Sequence, residues 1–254
     1  MMNKVELKQI AKTMGWRPYQ QEKLYIQTLI LKSIYANCDP VFKGGTALLI
    51  AHGLNRFSED LDFTANEDCP LERLMKVIHN DLLLYGISTR VDKLEEEVEG
   101  GGFRVGAEGP LFTKELSRCF VRVEISLRET TYYMPEMIAL TPIYPNILPF
   151  TLSIMDRREI LAEKVRAIFM REKARDLYDT WFLVTHDVQT EMALVDQKLG
   201  LYDIEFDFDT FITRVKTAQS RWEGELPPIL IGSLPNFTDV SSTIIMKIHE
   251  FLRI

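Results

Sequence analysis

The segment 41–63 most constrains the fold, because it places two strands and a helix within few residues. Residues 41–43 predict a buried strand, and Gly44-Gly45 predict a sharp turn, since neither glycine carries a Cβ. A short apolar helix is expected over 46–51, followed by a second strand over 60–63. A phosphate would suit the start of that helix, because free backbone N–H groups converge there.

Two aspartates alternate with leucine in the second strand. Because strand side chains alternate between faces, Asp60 and Asp62 share one face and Leu61 points into the core. Neighbouring carboxylates repel each other unless a divalent cation neutralises them, and oxygen ligands favour Mg²⁺ or Mn²⁺. The alternative is an edge strand with two solvated aspartates. The Gly-Gly-Thr element, with thirteen residues between Thr46 and Asp60, favours the cation site.

Composition indicates an ordinary globular protein, with 46% hydrophobic and 26% charged residues. No apolar run approaches the roughly 20 residues that span a bilayer, so we expect no membrane association and a cytoplasmic location. The formal charge of −7 argues against broad coating of nucleic acid but leaves a local basic patch open. Cys38, Cys69 and Cys119 are widely spaced, which predicts reduced thiols and neither a disulfide framework nor a zinc site.

The remaining pattern predicts two domains. Alternation over 119–127 predicts a strand with Glu124 on its polar side. The proline-rich segment 132–153 predicts edge strands and turns, and the chain beyond it has helical periodicity. We therefore expect a core over 1–153 and a helical C-terminal domain over 154–254.

The first two helices of that C-terminal domain carry further charged candidates. Lys164 lies on the flank of the apolar stripe of helix 157–170, where its long side chain can reach past its neighbours. If this helix continued unbroken, Asp179 would project from its apolar face, so a break is expected near 171–174. Asp176 and Asp179 then share one flank of the second helix.

Two stretches carry a family resemblance. Gly45-Thr46 followed by Asp60-x-Asp62 resembles the motif of the DNA-polymerase-β-like nucleotidyltransferase superfamily. The string GGTALLIAHGLNRFSEDLDF looks like the first motif of the AbiEii/AbiGii (MenT-type) nucleotidyltransferase toxins, including Ser58. ILAEKVRAIFMREKARDLYDTWFL resembles their later motifs, so the resemblance covers roughly 40–185. It implies an α/β (α+β) nucleotidyltransferase core with a mixed twisted sheet and flanking helices, and a helical C-terminal region completing the active cleft.

By this resemblance, the protein is a metal-dependent enzyme that transfers NMP from an NTP to an acceptor, with RNA such as tRNA expected. Asp60 and Asp62 would hold Mg²⁺ or Mn²⁺, with Glu124 as third ligand where relatives usually carry aspartate. The alternative for Glu124 is an exposed ion pair with Arg122 or Arg128. In the first two helices of the C-terminal domain, the residues expected in catalysis are Lys164, Asp176 and Asp179. The residues expected to bind the nucleotide are Gly44, Gly45, Thr46, Arg56, Ser58 and Lys164.

The resemblance also implies the toxin of a type IV AbiE-like toxin–antitoxin phage-defence system, with a cognate antitoxin as candidate partner. Two other function classes stay open. One is a non-catalytic nucleotide- or partner-binding protein of the same fold, which the glutamate in place of the third aspartate favours. The other is a kinase-like phosphotransferase, although the sequence has no Walker A string.

Overall fold

The computed structural model describes residues 2–65, 69–94, 100–128 and 130–252. In this part of the chain, the strands are β1 (Val41–Lys43), β2 (Leu61–Thr64), β3 (Thr89–Lys93), β4 (Gly100–Ala107), β5 (Cys119–Ser126), β6 (Glu136–Leu140) and β7 (Phe150–Ile154). The α-helices are α1 (Lys4–Met14), α2 (Pro18–Tyr35), α3 (Gly44–His52), α4 (Leu71–Leu84), α5 (Arg157–Met170), α6 (Ala174–Thr185), α7 (Met192–Gly200), α8 (Phe208–Thr217), α9 (Gln219–Glu225) and α10 (Phe237–Leu252). The expected α/β class is confirmed.

The chain forms two units, and each unit is assembled from segments that are not consecutive in the sequence. The first comprises Met1–His52, Phe57–Thr131 and Pro135–Ile154 and holds every described strand. The second comprises Gly53–Arg56, Tyr132–Met134 and Met155–Ile254 and is helical. Two short segments, 53–56 and 132–134, therefore leave the first unit to pack with the second.

The sheet of the first unit is mixed, with strand order β3-β4-β5-β2-β1-β7-β6. The strand β2 pairs antiparallel with β1 and parallel with β5, which places it at the centre of the sheet. In β5, Val121, Val123 and Ile125 are buried while the intervening side chains are more exposed, as the alternation predicted. The polar side chains of β2 and β5 therefore lie on one face.

Helix α2 covers the opposite, apolar side of the sheet. Proline at its first position fits the helix start, because the missing N–H has no helical acceptor there. The helix contacts β5, β7 and α4, and it buries Tyr25, Ile26 and Ile30 in the core. Among the polar residues of α2, the three glutamines Gln20, Gln21 and Gln27 are buried as well.

The second unit is built around α5 and α6, which pack against each other. The predicted break between them is confirmed, because α5 ends at Met170 and α6 begins at Ala174. Further along the second unit, the helical segment 208–225 is divided at Ala218 into α8 and α9. Trp222 is buried and donates its indole N–H to the Pro235 carbonyl at 2.9 Å, which fixes α9 against the following loop.

The expectation of three reduced cysteines is corrected, because Cys38 and Cys69 form a disulfide. Cys38 follows α2 and Cys69 precedes α4, and the packing of these helices brings the two Cα atoms to 5.7 Å. Spacing along the sequence could not show this proximity. Cys119 has a free, buried thiol. No helix in the described ranges is long and apolar enough to cross a membrane.

Replacing Phe63 tests whether β2 is as central to the core as its burial indicates. Phe63 is 1% exposed and its ring lies 5.1 Å from that of Phe42. We expect Phe63→Ala to lower the free energy of unfolding by about 3–5 kcal/mol, through lost burial and a cavity. Urea denaturation measures this. Leu116→Ala is the control, because Leu116 is 90% exposed, and a loss as large as that of Phe63→Ala would contradict the assignment.

Candidate active site

The turn after β1 brings the protein backbone against the Asp62 carboxylate. Gly44 has φ +77°, a conformation that residues with a Cβ rarely adopt. A Cβ built at Gly44 would lie 2.6 Å from Asp62 Oδ2, closer than any real contact. Gly44 is thus required for both conformation and space. The structure begins α3 at Gly44 rather than Thr46, so the Gly-Gly pair forms the first turn of the helix.

The side chain of Thr46 contacts the backbone at Asp60. Its side chain is fully buried, and its hydroxyl donates to the Asp60 carbonyl. Nucleotide binding by Thr46 stays a prediction, and in this structure a backbone acceptor takes the hydroxyl proton. Asp60 lies one residue before β2 and is half-buried, as is Asp62 within the strand.

Register aligns three charged residues across the sheet. Asp62 in β2 is the partner of Lys43 in β1 and of Glu124 in β5. Partners in register project from the same face, so a cationic and an anionic side chain flank Asp62. Lys43 is 8% exposed. The sequence interpretation did not assign a role to Lys43, although its place at the end of a buried strand beside the glycine turn was visible.

Glu124 takes the alternative that the sequence left open. Its carboxylate pairs with Arg122, two residues earlier on the same face, and its side chain is 46% exposed. Across the described ranges, no three His, Cys, Asp or Glu side chains are gathered closely enough to hold a metal ion. Asp60 and Asp62 offer carboxylate oxygens, whereas Glu124 is in register with Asp62 but turned to Arg122.

Gly45 and Ser58 are the remaining predicted site residues of the first unit. Gly45 is buried in the first turn of α3, and Ser58 is half-buried two residues before Asp60. The structure therefore brings together, within one unit, a glycine turn, a helix start and two aspartates. The predicted residues of this group are Gly44, Gly45, Thr46, Ser58, Asp60, Asp62 and Glu124.

Gln27 is a residue of this region that the sequence interpretation missed. Its side-chain amide is fully buried and donates to the carbonyls of Ser58 and Glu59, at 3.2 and 2.9 Å. The sequence did contain a signal for Gln27. It lies between Leu24 and Leu31 at helical spacing, on the buried face of α2, where an apolar residue is usual.

The second unit contains a buried ionic network, with Arg56 at one end. Arg56 is 3% exposed, and its Nε and Nη2 donate to the two carboxylate oxygens of Asp179, the latter at 2.6 Å. Such a bidentate pair is geometrically specific. Nucleotide binding by Arg56 stays a prediction, and in this structure Asp179 on α6 holds the guanidinium in the interior.

Lys164 joins both predicted aspartates of α6. Its Nζ lies 2.9 Å from Asp179 Oδ2 and 3.2 Å from Asp176 Oδ1. Arg171 donates from Nε to Asp176 at 2.7 Å. The helices α5 and α6 thus bring these side chains together, and Lys164 contacts two carboxylates.

The network sets the ionisation of its members. Burial disfavours the charged carboxylate of Asp176, but Lys164 and Arg171 outweigh that effect and hold the pKa of Asp176 well below its usual range. Burial acts against Asp179 in the same way, and Arg56 with Lys164 lowers its pKa. Burial disfavours charged Lys164, but Asp179 and Asp176 together raise its pKa. The lysine and the two carboxylates are therefore all charged at neutral pH.

A mixed sheet whose central strand carries one aspartate and directly follows another, beside a glycine turn and a short helix, is typical of a nucleotidyltransferase. The family model for "Nucleotidyl transferase AbiEii toxin, Type IV TA system" matches residues 32–240. The chain therefore belongs to the AbiEii family of nucleotidyltransferase toxins, and the expected enzyme class is confirmed. Membership in a type IV toxin–antitoxin family implies an NTP substrate and an antitoxin partner.

Solved structures support the fold. The chain is similar to MenT4, a nucleotidyltransferase toxin from Mycobacterium tuberculosis H37Rv, with TM-score 0.64, 19% identity and coverage of 98% of this chain and 89% of that one. It is also similar to JHP933 from Helicobacter pylori, with TM-score 0.59, 19% identity and 92% of each chain covered. No curated protein matches the sequence.

A pair of glycine substitutions separates backbone strain from displacement of Asp62. Gly44 and Gly53 both have positive φ, of +77° and +73°, but a Cβ at Gly53 meets nothing within 4 Å. We expect Gly53→Ala to lower the free energy of unfolding by about 1–2 kcal/mol through strain alone. Gly44→Ala should cost more, because Asp62 must also move. Urea denaturation compares them, and equal losses would show that Asp62 does not depend on the glycine.

The free energy of unfolding at acidic pH tests the buried ionic network of the second unit. Because the folded pKa of Asp176 is lowered, its stabilisation is complete above the unfolded pKa of about 3.9 and is lost as pH falls toward the folded value. We expect Asp176→Asn to cost about 2 kcal/mol at pH 7, the scale of charged hydrogen bonds, and progressively less below about pH 4. Urea denaturation from pH 3 to 7 measures it. The exposed Asp196 provides the control, Asp196→Asn; a pH-independent loss at Asp176 would contradict this assignment.

Proposed function

We propose that this nucleotidyltransferase transfers a nucleoside monophosphate from a nucleoside triphosphate to an acceptor and releases pyrophosphate, with divalent cations at Asp60 and Asp62. The observation that carries the proposal is the confinement of Asp62. Its carboxylate lies against the backbone of Gly44 and between the register partners Lys43 and Glu124. A carboxylate held this closely on a central strand is ready to bind a ligand without rearrangement.

Asp60 and Asp62 are the proposed cation ligands, and Mg²⁺ or Mn²⁺ fits their oxygen-only chemistry. A bound cation would supply charge neutralisation at the triphosphate and activate the attacking oxygen. Glu124 is proposed as a third ligand that must first leave Arg122. The ion pair it would give up is solvent-exposed, and such pairs are worth only about 0–1 kcal/mol, so the exchange is inexpensive.

The start of α3 is proposed to bind the triphosphate. The first N–H groups of a helix have no helical acceptor, and the helix dipole favours an anion there. Gly44 and Gly45 supply these N–H groups without a side chain that would hold the phosphates away. Ser58, close in sequence to Asp60, is proposed to donate its hydroxyl to the same phosphates.

A second phosphate contact is proposed for Lys164, with Asp176 and Asp179 as its supporting carboxylates. Its Nζ is shared between the two aspartates. Exchange of one carboxylate for a phosphate oxygen would keep the other, so the ammonium group would never be left buried and unpaired. The requirement is that Lys164 keeps its positive charge, which both aspartates favour.

RNA, such as tRNA, is the proposed acceptor, and a role in phage defence alongside an antitoxin is the proposed biological setting. Membership of a type IV toxin–antitoxin family supports the setting. Nucleotidyl transfer onto a cellular RNA would be a direct way for such a toxin to act. The non-catalytic and kinase-like alternatives make different predictions about products.

The decisive experiment incubates the protein with each α-³²P-labelled NTP, Mg²⁺ or Mn²⁺ and total cellular RNA. We expect wild type to label a discrete RNA and release pyrophosphate. Asp60→Asn and Asp62→Asn should each reduce the rate by at least about 1000-fold. Each variant replaces a charged carboxylate at the proposed cation site by a neutral amide of similar size.

Circular dichroism and thermal melting control for folding of both variants. Pyrophosphate release without labelled RNA would redirect the search to protein or small-molecule acceptors. Nucleoside diphosphate as product would establish a kinase instead. Binding of NTP without any turnover, or full activity of Asp60→Asn, would overturn the proposed reaction.

A further inference from the structure

We infer that Gln27 is a positioning residue for the reaction: its buried amide holds the backbone just before Asp60 and so sets the direction of that carboxylate. The inference rests on the proposed function of Asp60 and Asp62. It adds a role for a residue on α2, a helix outside the motif that carries the aspartates.

The contacts of Gln27 are directed at one short segment. Its Nε2 donates to the carbonyl of Ser58 at 3.2 Å and to that of Glu59 at 2.9 Å. One turn earlier on α2, Lys23 Nζ lies 3.0 Å from Glu59 Oε1. That ion pair is partly exposed and contributes little. The buried amide is therefore the stronger tie between α2 and this segment.

The segment needs such ties because strand pairing does not reach it. The ladder between β2 and β5 begins at Leu61, and the ladder between β2 and β1 begins at Asp62. Asp62 is thus held by the sheet, whereas Asp60 lies before its edge. The carbonyls of Ser58, Glu59 and Asp60 are instead held by Gln27 and by the hydroxyl of Thr46.

Burial of the glutamine is costly, which indicates that its donor matters. Gln27 is fully buried, and its Oε1 accepts no hydrogen bond from any described residue. A buried acceptor without a donor destabilises the fold, and an apolar side chain of similar volume would avoid that cost. The N–H donation to the two carbonyls is the contact that an apolar side chain could not replace.

Gln21 provides a matched control on the same helix. It is also fully buried, its Nε2 donates to the Tyr144 hydroxyl at 2.6 Å, and its Oε1 likewise has no donor in the described chain. Gln21→Met and Gln27→Met therefore remove equivalent amides. Only Gln27→Met releases the segment that leads into Asp60.

The first test compares the two variants with wild type in single-turnover transfer and in Mn²⁺ binding without nucleotide, followed by electron paramagnetic resonance. We expect Gln27→Met to slow transfer by about 10- to 100-fold, because small misplacement of a reacting group has effects of this size. Its Mn²⁺ affinity should weaken, while its NTP dissociation constant should stay within about threefold of wild type. Gln21→Met should match wild type in all three.

Two results would overturn the inference. Gln27→Met could retain the wild-type rate and Mn²⁺ affinity, or Gln21→Met could lose as much as Gln27→Met, which would indicate a general packing effect. Mn²⁺ binding decides the role of Gln27 even if wild type labels no RNA, a result that counts against the proposed acceptor alone. Wild type that neither binds Mn²⁺ nor releases pyrophosphate overturns both proposals.

Thr46 gives a second route in case Gln27→Met does not fold. Thr46→Val removes the donor to the Asp60 carbonyl with little change of volume, and Thr46→Ser keeps a hydroxyl. We expect Thr46→Val to reproduce the slow transfer and weak Mn²⁺ binding, and Thr46→Ser to restore both. Wild-type behaviour of Thr46→Val would overturn the view that side-chain donors to this segment set the position of Asp60.

Discussion

The support of two aspartates two residues apart, Asp60 and Asp62, is the constraint that the contacts around β2 meet. Two anions on neighbouring positions can be kept together only if their backbone is held firmly and cationic or polar groups compensate them. The sheet holds Asp62 between register partners, and Gly44 leaves room for its carboxylate. Asp60 is held by hydrogen bonds from α2 and α3 to the backbone.

The two aspartates are therefore fixed by different physics. Strand pairing restrains Asp62 through several backbone hydrogen bonds, and no single side-chain substitution removes them. Asp60 depends on individual side-chain donors, each of which one substitution can delete. The same difference explains why a glycine is needed beside Asp62 and a buried glutamine and threonine beside Asp60.

Local patterns revealed the elements of the fold, while contacts distant in sequence escaped them. The strand β1, the alternation of β5 and the break before α6 follow from turn residues and periodicity over a few positions. The Cys38–Cys69 bond joins residues 31 apart, and the Arg56–Asp179 pair joins residues 123 apart. Single-sequence periodicity carries no signal for such pairs. For Glu124 the sequence left two roles open, because it does not decide whether the carboxylate pairs with a neighbouring arginine or binds a cation, and in the structure it pairs with Arg122.

The Arg56–Asp179 pair shows how burial positions charged side chains in the second unit. An arginine in a polar loop near an aspartate pair suggests a phosphate ligand, yet a desolvated carboxylate attracts the same guanidinium as strongly. Arg56 and Asp179 are almost wholly removed from water, and Lys164 balances the remaining charge with Asp176. Breaking a pair of this kind leaves an uncompensated buried charge, so the network commits the loop 53–56 to α6 and gives Lys164 a fixed position from which to act.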